Sequence, residues 1–252
     1  MHKATACLFA VIAASCGRLG FDRPGGDASQ DGRDGDAQGG SHDGPAASRW
    51  LLITTEAIAN STMFPIAPTG SGNLIVLEIA SRTLGNTVTG ITDNAPNGGN
   101  IYAAIPQGRA VNGVESLEIW YAKGSQSGAT VIDVAVTGAI TSLVLWEVAG
   151  IRTDAPLDTA DKLDAQPATT TPVGPSLTTI APGDFIVSVV ISQNSITGIH
   201  AGNEFTQDQM TQLDGWGHLT ASSAAAGTHQ AQWDQPTSGS YCANAAAFRV
   251  GP

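Results

Sequence analysis

Residues 116–150, SLEIWYAKGSQSGATVIDVAVTGAITSLVLWEVAG, decide the fold class. They contain three apolar runs, separated by the Gly-, Ser- and Thr-rich breaks GSQSG and TGAIT, which allow a chain to reverse. Ile132, Val134 and Val136 recur at every second position, which is the signature of a half-buried strand. Residues 142–149 are apolar on both faces, which predicts a central strand that is covered on each side. The stretch therefore predicts an antiparallel sheet.

Outward from this stretch, the chain continues as short strand-like runs separated mainly by Gly, Pro, Asn or Asp. No ten-residue run keeps the 3.6-residue apolar period of a helix. Residues 156–175 are long, polar and Pro-rich, and they are predicted to form a loop between two sheets. The sequence thus predicts an all-β domain over residues 49–252, a two-sheet antiparallel β-sandwich that is jelly-roll-like. The predicted runs are residues 50–55, 73–81, 87–92, 101–105, 116–122, 130–136, 142–149, 176–180, 185–192, 218–223, 228–233 and 240–250.

The net negative charge of the chain argues against partners that carry many negative charges. The 252 residues include 22 acids and 11 Lys or Arg, for a formal net charge of −11. Such a surface repels phosphate backbones and anionic lipid headgroups. We therefore expect no nucleic-acid partner.

The amino-terminal residues 1–15, MHKATACLFAVIAAS, have a short basic start and a short apolar run, which together predict a signal peptide. The run is shorter than the ~20 residues that a membrane-spanning helix needs. Residues 13–16, Ala-Ala-Ser-Cys, resemble the lipobox of bacterial lipoproteins, although Ala13 stands where that family usually has Leu. The resemblance implies cleavage before Cys16, acylation of Cys16 and a membrane anchor in the cell envelope, and Gly17 favours the outer membrane. The alternative is ordinary cleavage that leaves a free thiol.

Residues 17–48 are rich in Gly and Asp and are predicted to form a disordered tether, because they contain too little apolar surface to offset the entropy of ordering. Residues 31–36, DGRDGD, have acids like those of a calcium loop but lack the EF-hand spacing and its terminal Glu. No metal site is predicted.

Segments of the domain resemble a β-sandwich module that is common in exported bacterial proteins. The resemblance extends over most of residues 60–250, and it implies the fold but no catalytic residue. The segments that carry it are ITDNAPNGGNIYAAIPQ (91–107), LEIWYAKGSQSGATVIDVAVTG (117–138), SLVLWEVAGI (142–151), residues 227–233 and residues 243–248.

Aromatic residues supply the candidate ligand site. Trp216 lies between two glycines in DGWGH, which predicts a turn from which the indole protrudes, and His218 follows it. Exposed aromatic faces can stack on sugar rings, so Trp216 and His218 are the predicted glycan-binding residues. Tyr121 is a further aromatic candidate, whereas Trp120 and Trp233 lie in strand-like runs and are predicted to pack in the core.

Other chemistry-bearing residues have structural interpretations. His200, His218 and His229 lack zinc-site spacing and are predicted at the surface or in loops. Glu78, Glu118 and Glu147 lie in apolar strands, where they could bind calcium or act as an acid/base pair; the structural interpretation is that they lie near strand ends or accept hydrogen bonds from loops. Cys242 has apolar neighbours, which favour a buried, inert thiol. No G-x-S-x-G motif, which would indicate a serine nucleophile, occurs in the chain.

The leading functional hypothesis is a lipid-anchored β-sandwich that binds a glycan, matrix or another envelope protein. The alternatives are a jelly-roll hydrolase that acts on polysaccharide and a purely structural envelope protein. The sequence predicts no catalytic residue, metal or cofactor.

Overall fold

The computed structural model describes residues 49–83, 85–113, 115–211, 214–219 and 224–252. Two five-stranded antiparallel sheets form its framework. Sheet I contains, in spatial order, β1 (Leu51–Ala59), β8 (Ser142–Ala149), β3 (Leu74–Ser81), β6 (Glu115–Ala122) and β5 (Tyr102–Asn112). Sheet II contains β13 (Phe205–Thr211), β14 (Asp214–Leu219), β11 (Phe185–Ser192), β17 (Gly239–Phe248) and β9 (Leu157–Thr169).

The two sheets pack face to face around one hydrophobic core. Val76 and Trp146 project from sheet I, and Val189, Trp216 and Phe248 project from sheet II, into the same buried cluster. This packing confirms the predicted all-β sandwich.

Smaller layers cover the outer faces of both sheets. A three-stranded sheet packs on sheet I and consists of β2 (Met63–Pro65), β7 (Val131–Val136) and β4 (Val88–Asp93). Two short ribbons lie beside sheet II. One pairs β10 (Leu177–Thr178) with β15 (Thr228–His229), and the other pairs β12 (Gly198–Ile199) with β16 (Trp233–Asp234). Strands β3 and β11 are buried at every position, and β8 at all but its last, because both of their faces are covered. The prediction of a doubly covered strand at residues 142–149 is confirmed, as is the alternation in β7.

The prediction of a loop over residues 156–175 is wrong, because residues 157–169 form β9, which pairs with β17 at the edge of sheet II. The strand is half exposed, so its sequence carries many polar residues and little apolar alternation. Pro167 lies in one of the register breaks between the two strands, where a missing N–H interrupts no ladder bond. The backbone pairing with β17 thus specifies this strand more than its own composition does.

Sequence reasoning also missed short strands and placed the start of one too late. Strands β2, β12 and β13 were not predicted, and β14 begins at Asp214, before the predicted run at residues 218–223, of which residues 220–223 lie outside the described residues. A 3-10 turn at Pro96–Gly98 is the only helical element in the part of the chain that the structure describes. Within that part, none of the helical structure has the length and apolar character needed to cross a membrane.

Candidate functional site

A surface pocket of about 260 Å³ lies at one end of sheet I. Three segments form it: the approach to β5, the start of β5 itself, and the end of β6 with the connection that follows. Ala103 and Tyr121 are direct cross-strand partners in the β5–β6 pair, so the register of the sheet places them side by side. We call this site the Tyr121 pocket; its lining residues are Asn100, Ile101, Ala103, Tyr121, Lys123, Gly124 and Gln126.

Asp93 organises the loop that leads into the pocket. Its carboxylate accepts hydrogen bonds from the backbone N–H groups of Ala95 and Asn100, both at 3.0 Å, from Asn100 Nδ2 at 2.7 Å and from the Tyr102 hydroxyl at 2.8 Å. Burial opposes ionisation of Asp93, but these donors together outweigh it and lower its pKa. The loop is therefore closed around a charged carboxylate.

A second set of bonds joins this loop to the connection after β6. The backbone N–H of Gln126 donates to Asn100 Oδ1 at 2.6 Å, and Gln126 Nε2 donates to the carbonyl of Gly99 at 2.9 Å. A Cβ at Gly99 would lie 2.9 Å from the Asp93 carbonyl oxygen, and its φ of 82° suits glycine. Both walls of the pocket are thus fixed before any ligand arrives.

The groups that face the pocket are partly apolar and partly polar. Ile101 is 88% exposed, and the half-buried Tyr121 ring contacts the edge of Phe248 at a centroid distance of 5.7 Å. Neither the Tyr121 hydroxyl nor Gln126 Oε1 has a hydrogen-bond partner among the described residues. Lys123 Nζ donates to the carbonyl of Asp154 at 2.8 Å. An aromatic surface with polar groups beside it suits an amphipathic ligand rich in hydroxyls.

The predicted turn at Trp216 is wrong. Trp216 lies within β14, is fully buried and faces the core between sheets I and II, so its ring cannot stack on a ligand at the surface. The flanking glycines serve packing instead: a Cβ at Gly215 would lie 2.8 Å from the Trp233 ring, and a Cβ at Gly217 would lie 2.7 Å from the Thr206 carbonyl oxygen. The two glycines make a notch on the outer face of β14, and Trp233 fills it, as predicted for a core tryptophan.

His218 also faces inward, which corrects the prediction of an exposed histidine. Its Nδ1 lies 2.7 Å from Asp208 Oδ1, and Asp208 Oδ2 accepts the Trp146 indole N–H at 2.7 Å. The rings of Trp50 and Phe185 lie 5.6 and 6.0 Å from the imidazole, centre to centre. Asp208 reaches His218 from a register break in β13. His218 is therefore part of a buried network rather than a surface site with Trp216.

The other two histidines, His200 and His229, differ in their exposure. His200 lies outside the strands, half exposed, with Nδ1 2.7 Å from Asp234 Oδ1, as predicted. His229 is buried in β15, where Nδ1 lies 3.0 Å from Glu204 Oε1, so the prediction of a surface or loop position is wrong. Among the described residues, no group of three or more His, Cys, Asp or Glu side chains is arranged to hold a metal ion.

Glu118 and Glu147 accept hydrogen bonds, as the structural interpretation predicted. Glu147 Oε1 accepts from Gly70 N at 2.7 Å and from Asn73 Nδ2 at 2.5 Å, and Glu118 Oε1 accepts from Val88 N at 3.1 Å. These bonds hold loop and strand termini against sheet I.

Glu78 differs because it lies in mid-strand and is fully buried. Asn244, which reaches across from sheet II, donates from Nδ2 to Glu78 Oε1 at 2.9 Å and to the Gly108 carbonyl at 2.8 Å. Glu78 Oε2 and Asn244 Oδ1 have no hydrogen-bond partner in the described part of the chain. Burial raises the pKa of Glu78 well above its ordinary value, against the effect of the Asn244 bond, and the nearby charges of Glu118 and Asp214 raise it further.

Asp214 forms a second polar link between the sheets. Arg82, in the segment after β3, donates to Asp214 Oδ1 at 2.9 Å and pairs with Glu115, while the Ser142 hydroxyl donates to Asp214 Oδ2 at 2.6 Å. Burial raises the pKa of Asp214 to about 7 although Arg82 and Ser142 stabilise its charged form. These carboxyls lie away from the Tyr121 pocket lining.

Cys242 is a buried free thiol, as predicted, and burial raises its pKa. Cys16, the signal peptide, the tether at residues 17–48 and the acidic stretch at residues 31–36 lie outside the described residues.

Tyr121 was the predicted candidate among the seven lining residues, and the other six were not predicted: Asn100, Ile101, Ala103, Lys123, Gly124 and Gln126. Ile101 and Ala103 were assigned to a strand, and Gly124 and Gln126 stand in the GSQSG break, which was interpreted only as a chain reversal. A signal was present, since polar Asn100 directly precedes the strand predicted at residues 101–105 and Gln126 follows the aromatic run that ends at Tyr121.

Comparison of the chain with protein-family models, with curated proteins and with solved structures finds no match.

Proposed function

We propose that this protein is a lipid-anchored, extracytoplasmic binding protein whose β-sandwich presents the Tyr121 pocket to a glycan. The supporting observation is the pocket itself, in which an exposed isoleucine and a tyrosine ring stand beside hydroxyl, amide and ammonium groups. Its volume is somewhat below the ~300–1,000 Å³ typical of drug-sized ligands, which suits a small unit such as one sugar ring. The lipobox-like residues before Cys16 support the anchor.

The composition of the pocket favours binding over hydrolysis. Its described lining residues include no Asp, Glu or His, which are the usual general acids and bases in cleavage of glycosidic bonds. The buried carboxyls of Glu115 and Asp214 are engaged by Arg82. Turnover of a glycan by the purified protein would support the hydrolase alternative, and absence of any ligand would support a structural envelope protein.

The test is a glycan-binding panel on the full chain carrying Cys16→Ser, with Ile101→Ala and Tyr121→Ala variants. We expect Tyr121→Ala to weaken binding at least tenfold, about 1.4 kcal/mol, because the stacking surface is removed, and Ile101→Ala about fivefold. Ile180→Ala is the matched control, since Ile180 is 76% exposed but lies outside the pocket lining. Equal affinities for the Ile101 and Ile180 variants and for wild type would place the site elsewhere.

A further inference from the structure

The charge distribution around the Tyr121 pocket differs from that of the chain as a whole. Acids outnumber Lys and Arg by 22 to 11 in the full sequence, yet Lys123 is the only charged residue in the pocket lining. A ligand in this pocket therefore meets one positive charge at contact distance and no carboxylate among the lining residues.

The charge of Lys123 is not neutralised by Asp154, the acidic residue that it contacts. Lys123 Nζ bonds to the backbone carbonyl of Asp154, a neutral acceptor, which leaves its other N–H groups available. The carboxylate of Asp154 is taken up by Arg152, whose Nε and Nη2 donate to it at 3.0 and 2.6 Å. These bonds lower the pKa of Asp154 to about 2, so it stays charged and paired with Arg152. Arg152 thus keeps Asp154 from competing for the lysine.

We propose that the Tyr121 pocket recognises a uronic acid residue, with the sugar ring against Tyr121 and Ile101 and the ring carboxylate paired with Lys123. The inference rests on the proposed glycan-binding function and specifies its ligand class. A single flexible ammonium suits an anion of one charge, whereas multiply charged phosphate or sulfate groups are usually met by several cations or by the guanidinium fork of Arg. The net charge of −11 also disfavours a densely charged polyanion. The proposed ligand is therefore a glycan that contains uronate but is not densely charged.

The experiment compares two tetrasaccharides by isothermal titration calorimetry, using the full chain carrying Cys16→Ser. The first alternates glucuronate with a neutral sugar, and the second is its carboxyl-reduced form, in which each carboxylate is a primary alcohol. We expect the wild-type pocket to bind the uronate form at least tenfold more tightly. Lys123→Met should bind both forms equally, and Lys123→Arg should retain most of the preference. The preference should fall as salt is raised, because the ion pair is exposed.

Three results would overturn the inference: equal wild-type affinity for the two tetrasaccharides, a preference that survives in Lys123→Met, or tighter binding of a sulfated tetrasaccharide that lacks carboxylates. If the carboxyl-reduced form binds as well as the uronate form and its binding is lost in Ile101→Ala, the pocket is a glycan site and only the uronate assignment fails. If neither tetrasaccharide binds, the inference fails, and the wider glycan panel decides the proposed function. Lys162→Met is the matched control, because Lys162 is a lysine of β9 outside the pocket lining.

Discussion

At the residue scale, Glu78 is a fully buried carboxyl in the middle of a strand of the sandwich. A carboxyl group at the centre of a core is costly to ionise, and its one described side-chain partner, Asn244, donates to only one of its oxygens. A protonated carboxyl facing a primary amide can complete a ring of two hydrogen bonds, with the acid O–H donating to the amide oxygen. Such a ring would satisfy both Glu78 Oε2 and Asn244 Oδ1.

We therefore predict that Glu78 is protonated at neutral pH and that Glu78→Gln removes a pH dependence of stability. A carboxyl whose pKa is raised on folding binds a proton that the unfolded chain loses, so wild-type stability falls as pH rises above the ordinary pKa of 4.5. Each such group contributes at most about 1.4 kcal/mol per pH unit. Gln can make the same two bonds without a proton.

Urea unfolding at pH 5 and pH 8 checks this prediction. The stability of Glu78→Gln relative to wild type should increase from pH 5 to pH 8, and a wild-type-minus-variant infrared spectrum at neutral pH should show the carbonyl band of a protonated acid. Glu78→Leu is the comparison variant: it also removes the ionisable carboxyl but leaves Asn244 Oδ1 unsatisfied, so it should be less stable than Glu78→Gln. A constant difference across pH, together with no acid band, would contradict a protonated Glu78.

At the element scale, β14 shows how one strand serves two cores. Trp216 fills the space between the large sheets, while Gly215 and Gly217 admit Trp233 on the opposite face. The sequence pattern of a tryptophan between glycines has two physical explanations, a turn or a notch. Only the position of Trp233, which is distant in sequence, distinguishes them.

We predict that Gly217→Ala destabilises the fold by about 1–3 kcal/mol, because the added methyl meets backbone at the Thr206 carbonyl and has no room to move. Gly90→Ala is the matched control, since Gly90 lies in strand β4 and a methyl group added there would meet no atom within 4 Å. Thermal and urea unfolding measure both variants. Equal stability of the two variants would contradict the prediction, because it would mean that the notch can accommodate the added methyl group.

The individual strands also differ in how well they could be predicted from the sequence. Strands β7 and β8 were predicted because burial of one or both faces determines their composition directly. Strand β9 was missed because an edge strand is specified by its partner, β17. The Tyr121 pocket was missed because Asn100 and Gln126 become neighbours only through the pairing of β5 with β6 and the loops that this pairing brings together.

At the scale of the whole molecule, the proposed function divides the chain into an anchor, a tether and a binding domain. The anchor can be tested separately from the ligand. We predict that a palmitate analogue labels the wild-type chain when it is expressed in a bacterium, and that Cys16→Ser abolishes the labelling, because acylation requires the sulfur and the new amino terminus at that residue. Multiple acyl chains would hold the protein stably, since each buried CH₂ contributes about 0.8 kcal/mol.

Cys242→Ser is the control for that labelling, because Cys242 is buried in β17 and should not accept a lipid. It should label as strongly as wild type. Equal labelling of wild type and Cys16→Ser would reject the anchor while leaving the glycan site to be judged on its own results.

The interrupted pairing of β9 has a consequence for encounters between copies of this chain, which the proposed anchor would make frequent. When two molecules meet edge to edge, a long, regular outer strand can pair with a strand of its neighbour. Strand β9 changes register three times along β17 and contains a proline, so its backbone does not present an even row of donors and acceptors. The irregular register of β9 therefore makes it a poor template for aggregation.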